Sequence, residues 1–132
     1  MKFPSEEWAA AYQRDLNASP EYRAAARGWA GDLVLRVTPP DPSSPAPGIY
    51  LDLAEDGCRQ AKYMADSRSA ESEFVFEAPS AVWAKLFRRE IDAMRAVLDG
   101  TVKIRGNMAK LLRFTRAAKV LVETAAAIAT DG

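Results

Sequence analysis

The chain has 132 residues, 48% of them apolar and 27% charged, and its 18 lysines and arginines balance 18 aspartates and glutamates. That length and mixture predict one globular domain, residues 1–132, with a core of ordinary size, and the neutral balance argues against a nucleic-acid binder. There is no histidine, which excludes Ser-His-Asp and Cys-His catalysis and an ordinary zinc site, so neither metal nor cofactor is expected.

A first helix is predicted from about Ser5 to Leu16. Ser5 can cap it, Glu6 and Glu7 suit the positive end of its dipole, and Trp8, Ala11, Tyr12 and Leu16 recur on one face. A second, short helix runs from Pro20, a favoured first position, to about Arg27, with Gly28 ending it. Four strand-like stretches follow. In "WAGDLVLRV" Leu33, Leu35 and Val37 alternate with Asp32 and Arg36, and in "GIYLDLA" Ile49, Leu51 and Leu53 alternate with Tyr50 and Asp52. Glu55-Asp56-Gly57 is a tight hairpin signal leading into "CRQAKYMA". In "SEFVFEA" Phe74 and Phe76 oppose Glu73, Val75 and Glu77. Such one-sided strands suit an antiparallel sheet with one face covered.

Between the first two strands, "TPPDPSSPAPG" holds Pro39, Pro40, Pro42, Pro45 and Pro47, five of the eight prolines. Pro42-Ser43-Ser44-Pro45 formally matches an SH3-type ligand, but a stiff connecting loop is the favoured reading. From Pro79 the pattern turns helical, with Val82, Leu86, Ile91, Met94, Val97 and Leu98 at helical spacing and a break near Arg88-Arg89. "GTVKIRG" then interrupts as a short strand, its Val102 and Ile104 opposed to Lys103 and Arg105. "NMAKLLRFTRAAKVLVETAAAIA" resumes as one or two helices with Met108, Leu111, Leu112, Ala118, Leu121, Val122 and Ala125 inward. A four-residue strand cannot make a sheet alone, so it must join the existing one as a fifth strand. The expected fold class is α+β: a mainly antiparallel five-stranded sheet with helices packed on one face.

The run "AVLDGTVKIRGNMAKLL" resembles the best-known signature of the sterol carrier protein 2 family: an aliphatic helix, a glycine-bracketed strand, then a final amphipathic helix. "APSAVWAKLF" is similar to that family's tryptophan-bearing helix after the fourth strand, and the resemblance runs from about Leu33 to Ala129. The first two helices look like those of prokaryotic members. Asn107 stands where aspartate is commoner, and Arg88-Arg89 stand where a glycine often follows the tryptophan helix. The ending "ATDG" lacks a peroxisomal tripeptide. With a lone Cys58, no run of eighteen apolar residues and no signal-like start, this predicts a bacterial-type cytoplasmic protein.

The resemblance implies an apolar cavity or tunnel between sheet and helices, holding a fatty acid, acyl-CoA or sterol-like lipid without catalysis. The residues expected to line it are Leu35, Leu51, Phe76, Trp83, Leu86, Phe87, Met94, Leu98, Val102, Ile104, Met108 and Leu112. The same residues would equally fill a solid core, because a hollow and a filled interior share one periodicity. Arg88, Arg89, Arg95, Lys103 and Arg105 read as a solvated face, against the alternative of an anion or membrane site. Two other functions stay open. One is an accessory or dimerisation module using the alanine-rich end "ETAAAIATDG" for a homodimer. The other is a small isomerase or cyclase using Tyr50, Tyr63 and Asp52, all expected on outward faces. Transient membrane contact is compatible with the carrier reading.

Overall fold

The computed structural model describes residues 1–128 and 130. Helix α1 spans Glu6–Asn17, and Ser5, in extended backbone, accepts a hydrogen bond from the Trp8 amide on its Oγ at 3.1 Å. Helix α2, Pro20–Ala25, starts behind Ser19, whose Oγ takes the Tyr22 amide. α1 starts behind Ser5 and α2 at Pro20, as the sequence predicts; α2 stops short of Arg27, and Gly28 turns away at φ 86°. Trp8, Ala11, Tyr12 and Leu16 are buried on the face that the spacing predicts, and Tyr22 of α2 is buried as well.

The strands are β1 (Ala30–Thr38), β2 (Gly48–Ala54), β3 (Gly57–Met64), β4 (Phe74–Pro79) and β5 (Lys103–Arg105), in the sheet order β3-β2-β1-β4-β5. Three seams are antiparallel; the fourth, between the central strand β1 and β4, is parallel, pairing Leu33 with Phe74 and Leu35 with Phe76. Leu33, Leu35, Ile49, Leu51, Phe74 and Phe76 share the face covered by helices. Asp32, Arg36, Tyr50 and Glu77 share the other. Here Arg36 reaches Glu77 at 3.3 Å and buried Ser67 at 3.0 Å, so its charge is satisfied rather than wasted.

A bulge lies between β2 and β3, where Leu53 pairs with Cys58 but Asp52 pairs with Gln60. One extra residue reverses the alternation beyond it. Ala61 and Tyr63 therefore lie on the helix-covered side, opposite Leu51 and Ile49. The expectation that Tyr63 faces outward is corrected accordingly. Helix α1 serves the backbone at the bulge: the Cys58 amide donates to Asn17 Oδ1 at 2.7 Å, and Asn17 and Gln13 both donate to the Cys58 carbonyl at 3.1 Å. In the proline-rich loop the Ser44 amide donates to the Asp41 carbonyl at 2.9 Å, and Arg68 holds the Pro42 carbonyl at 3.0 Å. The stretch is a pinned turn, not an extended ligand.

After β4 come α3 (Ser80–Phe87), α4 (Ala93–Leu98), α5 (Met108–Arg113) and α6 (Thr115–Ala127). The break expected near Arg88-Arg89 is real. Arg89 takes φ 59°, its amide reaches Leu86 O at 3.1 Å, and the Glu90 amide reaches Lys85 O at 2.9 Å. That is a left-handed helix stop, usually built with glycine. Gly100 at φ 82° and Gly106 at φ 138° bracket β5. Val102 lies just ahead of the strand, which is three residues long.

The C-terminal helical run divides at Phe114, where φ −114° and ψ 36° end α5 before α6 begins. That division changes which side chains face in. Leu111 and Phe114 pack on the core, whereas Met108 and Leu112 are 43% and 68% exposed, and Leu98, at the end of α4, is 81% exposed. The inward placement expected for Leu98, Met108 and Leu112 is thus corrected. One continuous period does not carry across α4 and α5, which are each only six residues long. On α6 the fully buried alanines are Ala117 and Ala125, with Ala118 half-buried. Of the alanine-rich ending, Ala129, Asp131 and Gly132 lie outside the described residues.

Candidate functional site

Between the sheet and the helices runs one apolar slot, floored by Leu33 and Phe76 and roofed by Leu121 of α6. Towards α3 and α4 it opens into a hollow of about 50 Å³, lined by Tyr12, Leu35, Trp83, Leu86, Phe87, Ala93, Val97, Val102, Val122, Ala125 and Ala126 besides the shared three. Towards α2 and α5 only about 10 Å³ remains, among Tyr22, Trp29, Phe74, Leu111, Phe114 and Ala117. Both values lie far below the roughly 300–1,000 Å³ of ligand pockets, and below the roughly 150 Å³ void that admits benzene. Instead of the expected tunnel, the structure holds a small hollow with an apolar lining.

The polar atoms around the slot are few and committed. Tyr12 Oη donates to the Leu121 carbonyl at 2.7 Å, tying α1 to α6, and burial pushes its phenol well above the ordinary tyrosine range. Thr130 Oγ accepts from the Trp8 indole at 3.2 Å, which brings the end of the chain back against α1. At the tight end Lys110 Nζ donates to the Ala30 carbonyl at 2.7 Å and to the Glu73 carboxylate at 2.8 Å, 4.7 Å from the centre of the Trp29 ring. Trp29 is packed against Phe74 and Phe114 at 5.6 and 5.0 Å. Aromatic packing also occurs at the hollow end, where Phe3 sits 4.7 Å from Trp8, 4.9 Å from Phe87 and 5.2 Å from Trp83.

Six of the twelve residues proposed from sequence come together around the hollow: Leu35, Phe76, Trp83, Leu86, Phe87 and Val102. The others do not. Leu51 is buried on the same sheet face without lining it, Ile104 is half-buried opposite Phe76 at the sheet edge, and Met94 is half-buried on α4. Leu98, Met108 and Leu112 point to solvent. Sequence reasoning treats Tyr12, Val97, Leu121, Val122 and Ala125 as ordinary core and overlooks Ala93 and Ala126.

The residues considered for catalysis lie elsewhere. Tyr50 Oη donates to Asp32 at 2.8 Å on the open sheet face, and that hydrogen bond, with partial burial, pushes its phenol up to about 12. Asp52 shares that face, while Tyr63 packs on the core from the opposite face of the sheet. The Cys58 thiol, pushed up to about 11 by burial, is a packing group. No helix among the described residues is long and apolar enough to cross a membrane.

Residues 11–119 match the profile of the SCP-2 sterol transfer family. The fold superposes on a crystal structure of sterol carrier protein 2 with a TM-score of 0.87 and 36% identity, over 97% of this chain and all of that one. It superposes comparably on the solution structure of a conserved hypothetical protein from Thermus thermophilus, described as possibly a sterol carrier protein. There the TM-score is 0.83 and the identity 36%, over 99% of this chain and 92% of that one. Sterol carrier protein 2 from Yarrowia lipolytica, in its apo form, shares the fold at a TM-score of 0.59 and 18% identity, over 96% and 94% of the two chains. No curated protein matches the chain.

Proposed function

Because the chain belongs to the SCP-2 sterol transfer family, we propose that it is a non-catalytic carrier of one hydrophobic molecule. The cargo is a fatty acid, acyl thioester or sterol-like lipid, held in the slot between sheet and α6. Residues 1–132 act as one binding unit, and the cytoplasm suits its single buried thiol. The observation that carries this reading is the unfilled, apolar end of the slot, to whose wall α6 contributes Leu121, Val122, Ala125 and Ala126. A hollow of about 50 Å³ does not hold a long chain as it stands. Loading therefore requires α6 and α4 to move apart from the sheet.

The energetics allow that movement. Burying a methylene is worth about 0.8 kcal/mol, so a sixteen-carbon chain offers roughly 12 kcal/mol before costs. Opening the slot and immobilising the ligand remove several kcal/mol, leaving about micromolar affinity. Displacement of a fluorescent fatty acid should be saturable and should strengthen with chain length. Native mass spectrometry of the purified protein should show a co-purified lipid. Absence of binding at every chain length, with a dimer in the same spectra, would instead favour a homodimeric accessory module. The small size of the hollow is the observation that keeps that second reading alive.

A further inference from the structure

Two helices cover the hollow, and they are held in different ways. Helix α6 packs against α1, α2, α3 and α5, and the Tyr12 hydroxyl ties it to α1 through the Leu121 carbonyl. Helix α4 contributes Ala93 and Val97 to the lining. Of its six residues only Ala96 is fully buried, and Leu98 is 81% exposed. No side chain of α4 forms a hydrogen bond or ion pair with another element among the described residues. Its cap comes from the residue just before it, since Asp92 Oδ2 accepts from the Arg95 amide at 3.0 Å. The helix therefore keeps its cap if it moves, and because Ala93 and Val97 already face empty space, its departure breaks few contacts. Both ends of α4 turn on left-handed backbone: Gly100 takes φ 82°, and Arg89, at φ 59°, is the one non-glycine residue of positive φ among the described residues. Beyond Gly100 the closed position is latched. The Val102 amide donates to the Ala96 carbonyl at 3.0 Å, and Asp99 Oδ1 accepts from the Thr101 amide and hydroxyl at 2.9 and 2.6 Å.

We propose that α4 is the lid of the slot. It swings as a rigid body about Arg89 and Gly100, and cargo enters where Ala93 and Val97 stood, before α6 yields. A left-handed conformation costs a residue with a side chain more than it costs glycine. The Arg89 side chain is exposed and has no partner among the described residues, so no contact of its own holds that turn. Opening lets Arg89 leave the left-handed region and releases the latch beyond Gly100. Strain at one hinge thus favours the open lid, the latch at the other opposes it, and their balance sets the fraction of molecules whose slot is open. The inference rests on the carrier reading and names the element that admits its cargo.

The test is stopped-flow association of a fluorescent sixteen-carbon fatty acid with the full chain, at concentrations where the rate follows the open fraction. The methyl added by Gly100→Ala meets nothing within 4 Å, so it acts through strain in the closed state and should speed association about five-fold. Arg89→Gly relieves strain of the same kind and should slow association about five-fold. Arg89→Ala keeps the left-handed cost without the charge and should stay within about two-fold of the parent. Asp99→Ala loosens the latch and should speed association roughly five-fold. Tyr12→Phe frees α6 from α1 and should change the rate by less than about two-fold. Circular dichroism and urea midpoints establish that each variant is folded. Rates that do not move in opposite directions in Gly100→Ala and Arg89→Gly, or a larger acceleration in Tyr12→Phe than in Asp99→Ala, overturn the lid while leaving the carrier reading intact. Failure of the parent to bind the fatty acid overturns both.

Discussion

At the tight end of the slot, Trp29 is packed between Phe74 and Phe114, and Lys110 locks the entrance through Glu73 and the Ala30 carbonyl. At the hollow end the aromatic residues are as numerous, yet space remains beneath Leu121, Val122, Ala125 and Ala126 of α6, which the Tyr12 hydroxyl ties to α1. The same sheet floor and the same helix thus bound a nearly filled interior in one place and a hollow of about 50 Å³ in the other. The difference lies not in α6, which presents Ala117 and Ala118 at the tight end and Ala125 and Ala126 at the hollow one, but in Leu111 and Phe114, which fill the tight end. Hydrophobic content alone does not distinguish the two ends.

The largest effect should come from damaging the tight end. Gly106→Ala would place a Cβ at φ 138°, against the Phe74 ring and 2.7 Å from the Glu73 carbonyl oxygen. The expected cost is about 3 kcal/mol or more, read as a lowered urea midpoint. A sharper comparison uses one substitution at both ends. Ala117→Leu, where almost no space is left, should lower stability by about 1–3 kcal/mol through overpacking. Ala125→Leu, over the hollow, should stay within about 1 kcal/mol of the parent, yet weaken fatty-acid displacement about ten-fold by occupying the ligand's space. If both variants lose stability equally, the two ends do not differ as described.

Lys110→Met tests the lock itself. Its partners are partly exposed, so the loss should be modest, about 1 kcal/mol, and smaller in high salt, as paired urea titrations at two ionic strengths would show. The smallest effect is expected at Leu112→Glu, within about 0.5 kcal/mol of the parent by the same measurement, because Leu112 faces solvent.

That last case also shows where the sequence stops being informative. Caps, breakers and alternation locate α1, α2 and the four long strands within a few residues, because Ser5, Pro20 and the Glu55-Asp56-Gly57 turn act locally. The parallel seam is not legible, since a period of two says which side chains share a face but not which strand lies alongside. Leu98, Met108 and Leu112 mislead for a related reason. Helices of six residues carry too few turns to fix a phase, and the stop at Phe114 restarts it. Of the six lining residues found, Leu35, Phe76, Trp83, Leu86 and Phe87 sit on β1, β4 and α3, and Val102 lies just ahead of β5. Ala93 and Ala126 escape notice because a small residue beside a space looks, in sequence, like a small residue beside a neighbour.

The β1–β4 seam joins the half of the chain that ends at β3 to the half that starts at β4, and segments so far apart must close a long loop before their pairing repays it. The β2–β3 hairpin and the helices can gather from their neighbours quickly, so the encounter of Leu33 with Phe74 should pace refolding. Since Leu33 and Leu35 stand on one bank of that seam and Phe76 on the other, the compartment beneath α6 comes into being only once the banks meet. A half-assembled chain has no hold in which to stow freight.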